Sequence, residues 1–531
     1  MLEREFIAQS RLHCVPSGHQ ADIQVHRRNE ESHLEARVTL NTSFNAGAID
    51  SRIFSGFLEH LGRSIYGGVY DPDSDLSNDD GIRTDVAEAM TGMNMPYVRY
   101  PGGNFVSNYD WRDGVGPDRQ PFPDFAWKTT DPNTFGTDEF MKWCDLVGTE
   151  PMMAVNLGTL GPTEAAALVE YCNLNTETRW AQARRDNGSP EPHNVKMWCL
   201  GNEMDGPWQA GHMPAEQYAL KARNAARLMR GLDPSIELIA AGSSGRQMAT
   251  YLEWDRTVLE TCWDDIEFIS AHRYSNNTAN NTPEFLAEGV VIDSILDDYA
   301  GLIAYVKGVK QSSHDVHVSF DEWNVWYKER GGVAQDGKWG VAPSLLEEVY
   351  NLEDALVCAQ YMNSFIRRAD VVKVACLAQL VNVIAAVLTT PNGALKQSIY
   401  YPFALYSEHA KGISLTPVVD SPTYDASEHG EVQTIDASAS FDEETGDLAM
   451  FLVNRSVDQD ARVTIDLSDR VVTGAGDIQV MTGDDPKLAN TWEQPDNVVP
   501  SAGVTELSDG VLTIDVPKLG MAVVSGITTK A

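Results

Sequence analysis

The chain has 531 residues, too many for one ordinary hydrophobic core, which points to two or three domains or to one large barrel with a partner domain. A hydrophobic content of 43% and 12 tryptophans describe a well-packed globular protein and exclude a collagen-like or disordered chain. With 77 acidic against 40 basic residues the net charge is −37, which argues against nucleic acid, anionic membranes and polyanionic substrates as partners and favours a neutral ligand.

Residues 1–34 are polar, mixed in charge and contain His13, His19, His26 and His33, whose even spacing suits no usual metal-ligand set. The segment reads as an unstructured extension. MLEREFIAQSRLHC holds no apolar core of signal-peptide length, and no stretch approaches a membrane span. The seven cysteines are odd in number and scattered, as reduced thiols are, so a cytoplasmic location is expected. Next, within residues 35–50, ARVTLNTSF is strand-like and is expected to join a sheet formed by the other end of the chain.

From Arg52 onward, short apolar runs recur, each followed by Gly, Asn, His or an acid. There are eight: 52-RIFSGFLEH, 96-PYVRYPGG, 151-PMMAVNLG, 195-VKMWCLGNE, 236-IELIAAGSS, 266-IEFISAHRY, 316-VHVSFDEWN and 371-VVKVACLAQLVN. Helical patterns lie between several of them. Tyr218, Ala222, Ala225 and Met229 share a face in 214–230, before the stop signals Gly231 and Pro234. Leu352, Ala355, Leu356, Ala359 and Ile366 share another in 346–368. Strand and helix in eightfold alternation predict an α/β fold, a (β/α)8 TIM barrel over residues 51–400. After about Tyr400 helical periodicity fades. Alternating runs such as 461-ARVTIDLSD and 511-VLTIDVPKL, separated by turn signals, predict a C-terminal antiparallel β-sandwich, jelly-roll-like, over 401–531.

A barrel of this kind places its chemistry at the C-terminal ends of its strands. The polar residues cluster there: Glu59-His60, Asn104, Asn156, Asn202-Glu203, His272 to Tyr274, Glu322 and Gln379 to Asn382. Glu203 follows the fourth run and Glu322 the seventh, which puts two carboxyl groups across the top of the barrel from one another. Such a pair is what acid–base cleavage of a glycosidic bond requires, one member protonated and the other ionised. Trp127, Trp198, Trp208, Trp323, Trp326 and Tyr327 are available to stack on sugar faces, although core packing is the better reading for Trp198. Asn104, Asn202, Gln379 and Glu59 are available to bind hydroxyls. No Cys-x-x-Cys, His-Glu-x-x-His, phosphate loop or Gly-x-Ser-x-Gly motif occurs, and no metal or organic cofactor is expected.

The motifs 57-FLEHLGRSIYGGVY, 98-VRYPGGNFVSNYDWRDGVGP, 198-WCLGNEMDGPWQ, 271-AHRY and 320-FDEWNVWY, in that order, resemble the α-L-arabinofuranosidases of glycoside hydrolase family 51. The resemblance runs from about residue 36 to the C-terminus. It implies a retaining, exo-acting hydrolase that releases terminal α-L-arabinofuranosyl residues from oligosaccharides or hemicellulose fragments. Glu203 is then similar to the family's general acid/base and Glu322 to its nucleophile. Asn202 would touch the hydroxyl beside the anomeric carbon, and Glu59, Asn104 and Gln379 would be further hydroxyl ligands. Tyr274 would orient the nucleophile, with His272 close by, and Arg99 would help hold Glu322 ionised. Trp127 and Trp326 would shape the sugar and leaving-group positions. The resemblance also implies a homo-oligomer, often a hexamer. Two other readings remain open on the residues: a β-xylosidase or endo-glucanase on the same barrel, and a non-catalytic carbohydrate-binding barrel.

Overall fold

A computed structural model describes residues 33–329 and 339–530. Most of the 1–34 extension, with His13, His19, His26 and Cys14, lies outside them. The eight apolar runs form a closed barrel of parallel strands in chain order: Ser55–Phe57, Tyr97–Tyr100, Glu150–Val155, Met197–Leu200, Glu237–Ala240, Phe268–Ser275, His317–Val325 and Val372–Ala378. Alternate residues, among them Phe57, Met152, Ala154, Met197, Cys199 and Cys376, form a small apolar cluster of their own, the packing inside the barrel. The opposite faces of the strands pack under helices such as Thr137–Val147, Ala215–Leu232, Gly289–Lys310 and Leu352–Arg367 to make the main core. The apolar run of each strand is therefore explained by burial on both faces.

The helix that follows the seventh strand begins later than its pattern suggests. Asn351 and Asp354 form a reciprocal cap: the Asp354 N–H donates to Asn351 Oδ1 (3.1 Å) and the Asn351 N–H to Asp354 Oδ2 (2.9 Å). Residues 346–351 are left as loop, and the helix runs Leu352–Arg367. The expected boundary at 400/401 also moves. Tyr400–His409 is a helix, and its Phe403 packs edge-on against Phe54 (6.3 Å between centroids), so the barrel unit extends to about residue 409.

Beyond it, two sheets enclose a separate apolar core. One contains Val418–Asp420, Leu34–Leu40, Ala461–Leu467, Val511–Val516 and Thr505–Ser508 in that order. The N-terminal strand does join it, but beside Ala461–Leu467 it runs parallel, Leu34 opposite Ala461 and Leu40 opposite Leu467, so the sandwich is not wholly antiparallel. The other sheet is built around Ile435–Phe441, Asp447–Asn454 and Gly520–Lys530. Buried Asp436 ties sandwich to barrel. It accepts from Asn363 Nδ2 (2.7 Å) and Arg367 Nη1 (3.0 Å) of the Leu352–Arg367 helix and lies 3.2 Å from Arg455 Nη2. Burial opposes its charge, yet the two arginines hold its carboxyl below the usual range. Among the described residues the six cysteines are all buried and unpaired, and no helix is long and apolar enough to cross a membrane.

Candidate active site

The fourth strand ends at Leu200, and the chain must then turn sharply. Gly201 does so at φ 86°, with Leu157 Cβ only 3.3 Å from where its own Cβ would stand. Two residues on, Glu203 itself adopts φ 45°, a conformation that raises the energy of a non-glycine residue by about 1 kcal/mol. The strained turn aims the Glu203 carboxyl over the barrel mouth. Its Oε1 faces His272 Nδ1 (2.9 Å) and its Oε2 accepts from Trp208 Nε1 (2.8 Å). Glu322 stands opposite, on the seventh strand. It accepts from Arg99 Nη1 at Oε1 (2.8 Å) and from the Tyr274 hydroxyl at Oε2 (3.0 Å). A carboxylate oxygen of Glu203, one of Glu322 and a ring nitrogen of His272 all lie within 4.8 Å of one another.

The seventh strand carries an irregularity that the site depends on. Ser270 pairs with Ser319 and His272 with Glu322, so this strand holds one residue more than its neighbour across the same span. The same excess occurs against the eighth strand between Phe320 and Trp323. Strict alternation would send consecutive residues to opposite faces, whereas this bulge brings both Asp321 and Glu322 to His272. Asp321 Oδ1 lies 3.0 Å from His272 Nε2, and its Oδ2 lies 3.8 Å from Arg99 Nε.

The electrostatics divide the two glutamates. Burial is the main force raising the Glu203 pKa; Glu322 adds to it, while His272 and Trp208 oppose. Glu322 instead has a guanidinium and a phenol as donors. For His272, burial disfavours the charged form, but Glu322, Asp321 and Glu203 outweigh it and push the imidazole up to about 10. With both ring nitrogens spent on carboxylates, His272 behaves as an imidazolium, a poor partner for a metal ion.

The cavity above holds about 460 Å³, and Glu59, Asn104, Trp127, Glu203, Tyr274, Glu322, Trp326 and Gln379 line it. Glu59, after the first strand, is buried in its floor. Its Oε1 accepts from the Phe105 N–H (2.9 Å) and Trp127 Nε1 (3.0 Å), and its Oε2 from Gln379 Nε2 (3.1 Å). Beneath Glu59, His60 stacks on Phe105 (4.6 Å) and joins Asp131 (2.6 Å), which fixes the hairpin that carries Trp127. A side chain at Gly103 would crowd the two residues below it: a Cβ would stand 3.0 Å from Glu322 Oε1 and 3.3 Å from Asn202 Nδ2.

Three of the residues named from sequence sit below the cavity wall. Arg99 and His272 are buried under the two glutamates, and His272 is a partner of carboxylates, not of sugar. Asn202 accepts at Oδ1 from Arg99 Nη2 (2.6 Å), while its buried Nδ2 finds no protein partner. Trp198, Trp323 and Tyr327 are not at the site; the first two are fully buried in the core, and Tyr327 turns towards Glu353. Trp208, one stacking candidate among several, lines the cavity beside Glu203. Leu61, Gly103, Ser244, Gln247, Leu346 and Ile384 complete the lining, and nothing in the sequence singles out Gln247, Leu346 or Ile384 for it.

Comparison with known proteins points to one family. Residues 89–289 match the family model described as alpha-L-arabinofuranosidase 1 domain, and residues 321–520 the alpha-L-arabinofuranosidase C-terminal domain. The chain is 43% identical to an intracellular exo-alpha-(1->5)-L-arabinofuranosidase of Acetivibrio thermocellus, over 90% of this chain and 97% of that one. It is 42% identical to an exo-alpha-(1->6)-L-arabinofuranosidase of Bifidobacterium longum, over 92% and 97%. Among solved structures, a family 51 alpha-L-arabinofuranosidase from Bifidobacterium longum superposes with a TM-score of 0.89 at 36% identity, covering 93% of this chain and all of that one.

Proposed function

The chain belongs to the α-L-arabinofuranosidases of glycoside hydrolase family 51, and we propose that it removes terminal α-L-arabinofuranosyl residues from short oligosaccharides by double displacement with retention. The observation that carries the mechanism is the spacing of the two carboxyl groups, with oxygens within 4.8 Å. Retaining glycosidases keep about 5 Å between them, whereas inverting ones need a wider gap for water.

In the first step Glu322 attacks the anomeric carbon as Glu203 gives its proton to the glycosidic oxygen, which leaves with the bonding electron pair. The raised Glu203 carboxyl suits it to hold that proton at neutral pH. In the second step, Glu203, now ionised, takes a proton from water, which displaces Glu322 from the sugar. Arg99 and Tyr274 fix the Glu322 carboxylate for in-line attack. Glu59, Asn104 and Gln379 supply hydroxyl contacts from the cavity lining, and the unpartnered Nδ2 of Asn202, beneath that lining, serves a hydroxyl seated deepest in the pocket. Trp127 and Trp326 both line the cavity and shape the sugar and leaving-group positions.

Relatives named intracellular support a cytoplasmic enzyme acting on imported oligosaccharides, and the family resemblance supports a homo-oligomer, a hexamer, which light scattering on purified protein would read. The chemistry is tested by proton NMR of the first product from an aryl α-L-arabinofuranoside, which should be the α-anomer. Alongside it, Glu322→Ala should lose turnover of every substrate. Glu203→Ala should lose about 10²–10⁴-fold on natural oligosaccharides but far less on aryl substrates with good leaving groups. A β-anomer first product, or equal losses on both substrate types for Glu203→Ala, would refute the mechanism.

A further inference from the structure

A buried path of charged groups joins the two glutamates. It runs from Glu203 Oε1 to His272 Nδ1 (2.9 Å), from His272 Nε2 to Asp321 Oδ1 (3.0 Å), from Asp321 Oδ2 to Arg99 Nε (3.8 Å), and from Arg99 Nη1 to Glu322 Oε1 (2.8 Å). The path closes on itself, because His272 Nδ1 is also 3.7 Å from Glu322 Oε2. Asp321 is 1% exposed and does not line the cavity, so it does not touch substrate. Its one close side-chain N–H donor is His272; Arg99 Nε, although attracted, makes no hydrogen bond.

Charge balance gives Asp321 its meaning. Before reaction, with Glu203 protonated, Arg99 and His272 are the cations and Asp321 and Glu322 the anions, a neutral set that can stay buried. The other ionisable groups facing His272 or its partners are Tyr274 on the same strand, Cys199 and Cys376 of the neighbouring barrel strands and Tyr218 near Asp321, and Glu59 across from Glu322; none of them replaces the Asp321 charge. Without that charge the His272 proton becomes surplus, and a neutral imidazole has only one N–H. If that N–H stayed on Nε2, Nδ1 would become an acceptor and would draw the Glu203 proton to Oε1, away from the oxygen beside Trp208 at the cavity wall.

We propose that Asp321 is a positioning residue: acting through His272, it keeps an N–H on Nδ1 aimed at Glu203 Oε1, so that the acid proton sits on Oε2 facing the leaving group, and the carboxylate has a cationic neighbour once that proton has gone. The inference rests on Glu203 being the general acid/base. The proton moves from Glu203 Oε2 to the glycosidic oxygen and is replaced from water in the second step. His272 keeps both of its protons throughout, and Asp321 exchanges none.

The test is Asp321→Asn, made both in the wild-type protein and in Glu203→Ala. In the wild-type background kcat/KM for a phenyl α-L-arabinofuranoside should fall about 10²-fold, and for a dinitrophenyl α-L-arabinofuranoside far less. The alkaline limb of the kcat/KM profile should move to higher pH, because Glu203 loses its cation. In the Glu203→Ala background the same substitution should leave turnover of the dinitrophenyl substrate unchanged within about twofold, since a group that acts only through Glu203 has nothing left to act on. A loss of equal size in both backgrounds would mean that Asp321 serves Arg99 and Glu322 instead, and would overturn the proposal, as would an alkaline limb that stays in place. Should Asp321→Asn fail to fold, neutron diffraction from the wild-type protein at pH 8 decides: deuterons on both His272 nitrogens are expected, and a bare Nδ1 would overturn the proposal. If Glu203→Ala itself shows no dependence on the leaving group, the acid assignment fails. If it does and Asp321→Asn does not, only the Asp321 role fails.

Discussion

Glu59→Gln probes whether the floor of the pocket is a neutral acid. Burial is the largest influence on Glu59; Glu322 and Asp124 add to it, the N–H groups of Phe105 and Trp127 oppose, and together they raise its carboxyl from 4.5 to about 8. A carboxyl raised on folding binds more protons folded than unfolded, so its contribution to stability falls as pH rises from 4.5 to about 8 and then levels off. Each pH unit in that window is about 1.4 kcal/mol, which makes about 4 kcal/mol between pH 5 and pH 9. Glutamine does not titrate and escapes this loss. It does face Gln379 Nε2 with an N–H in place of an acceptor, which sets a fixed penalty at all pH values. The expected result is therefore a change in the difference: relative to wild type, Glu59→Gln should gain about 4 kcal/mol on going from pH 5 to pH 9, whatever its offset at pH 5. Guanidinium unfolding of both proteins at pH 5, 7 and 9, followed by tryptophan fluorescence, reads it, because pH effects elsewhere cancel in the comparison. A difference constant to within about 1 kcal/mol would refute a neutral Glu59.

Two further substitutions test the geometry around this floor and the joint beneath the barrel. Gly103→Ala places a methyl group 3.0 Å from Glu322 Oε1 and 3.3 Å from Asn202 Nδ2, so kcat on an aryl α-L-arabinofuranoside should drop about 10- to 100-fold while the melting temperature barely moves. Asp436→Ala leaves Arg367 and Arg455 as buried cations without their shared anion, and should destabilise the protein by about 3–5 kcal/mol, read as a lowered melting temperature at pH 7. Because the Asp436 carboxyl is held below its usual range, that difference should shrink as pH falls towards and past it.

All eight barrel strands were legible because burial on both faces leaves a long apolar signature, and each run was punctuated by the polar residues of the mouth. The helix Tyr400–His409 was not legible: Tyr400, Pro402, Phe403, Tyr406 and Ser407 are all buried, so no polar stripe marks its period. The parallel pairing of Leu34–Leu40 was equally silent, since alternation fixes which face of a strand is buried but not its neighbour or its direction.

The site divides the same way. Glu203 and Glu322 could be placed because each stands where a strand meets the mouth. Asp321 could not, since a period of two puts it on the face opposite Glu322. A signal was nevertheless present in 320-FDEWN. In a parallel barrel both faces of a strand are buried, inward by the barrel core and outward by helices, so an acid beside an acid has no face on which it meets water. One of the two must therefore face the Leu352–Arg367 helix under strict alternation, buried without water. Phe320 packs outward on Tyr361 and Phe365 of that helix, so plain alternation carries Asp321 inward to His272 and Arg99, and the bulge that follows keeps Glu322 on the same inner face. Two adjacent carboxylates inside a doubly buried strand are thus a sequence signature for a bulge with basic partners waiting, and here the partners, His272 and Arg99, are the residues that connect Glu203 to Glu322.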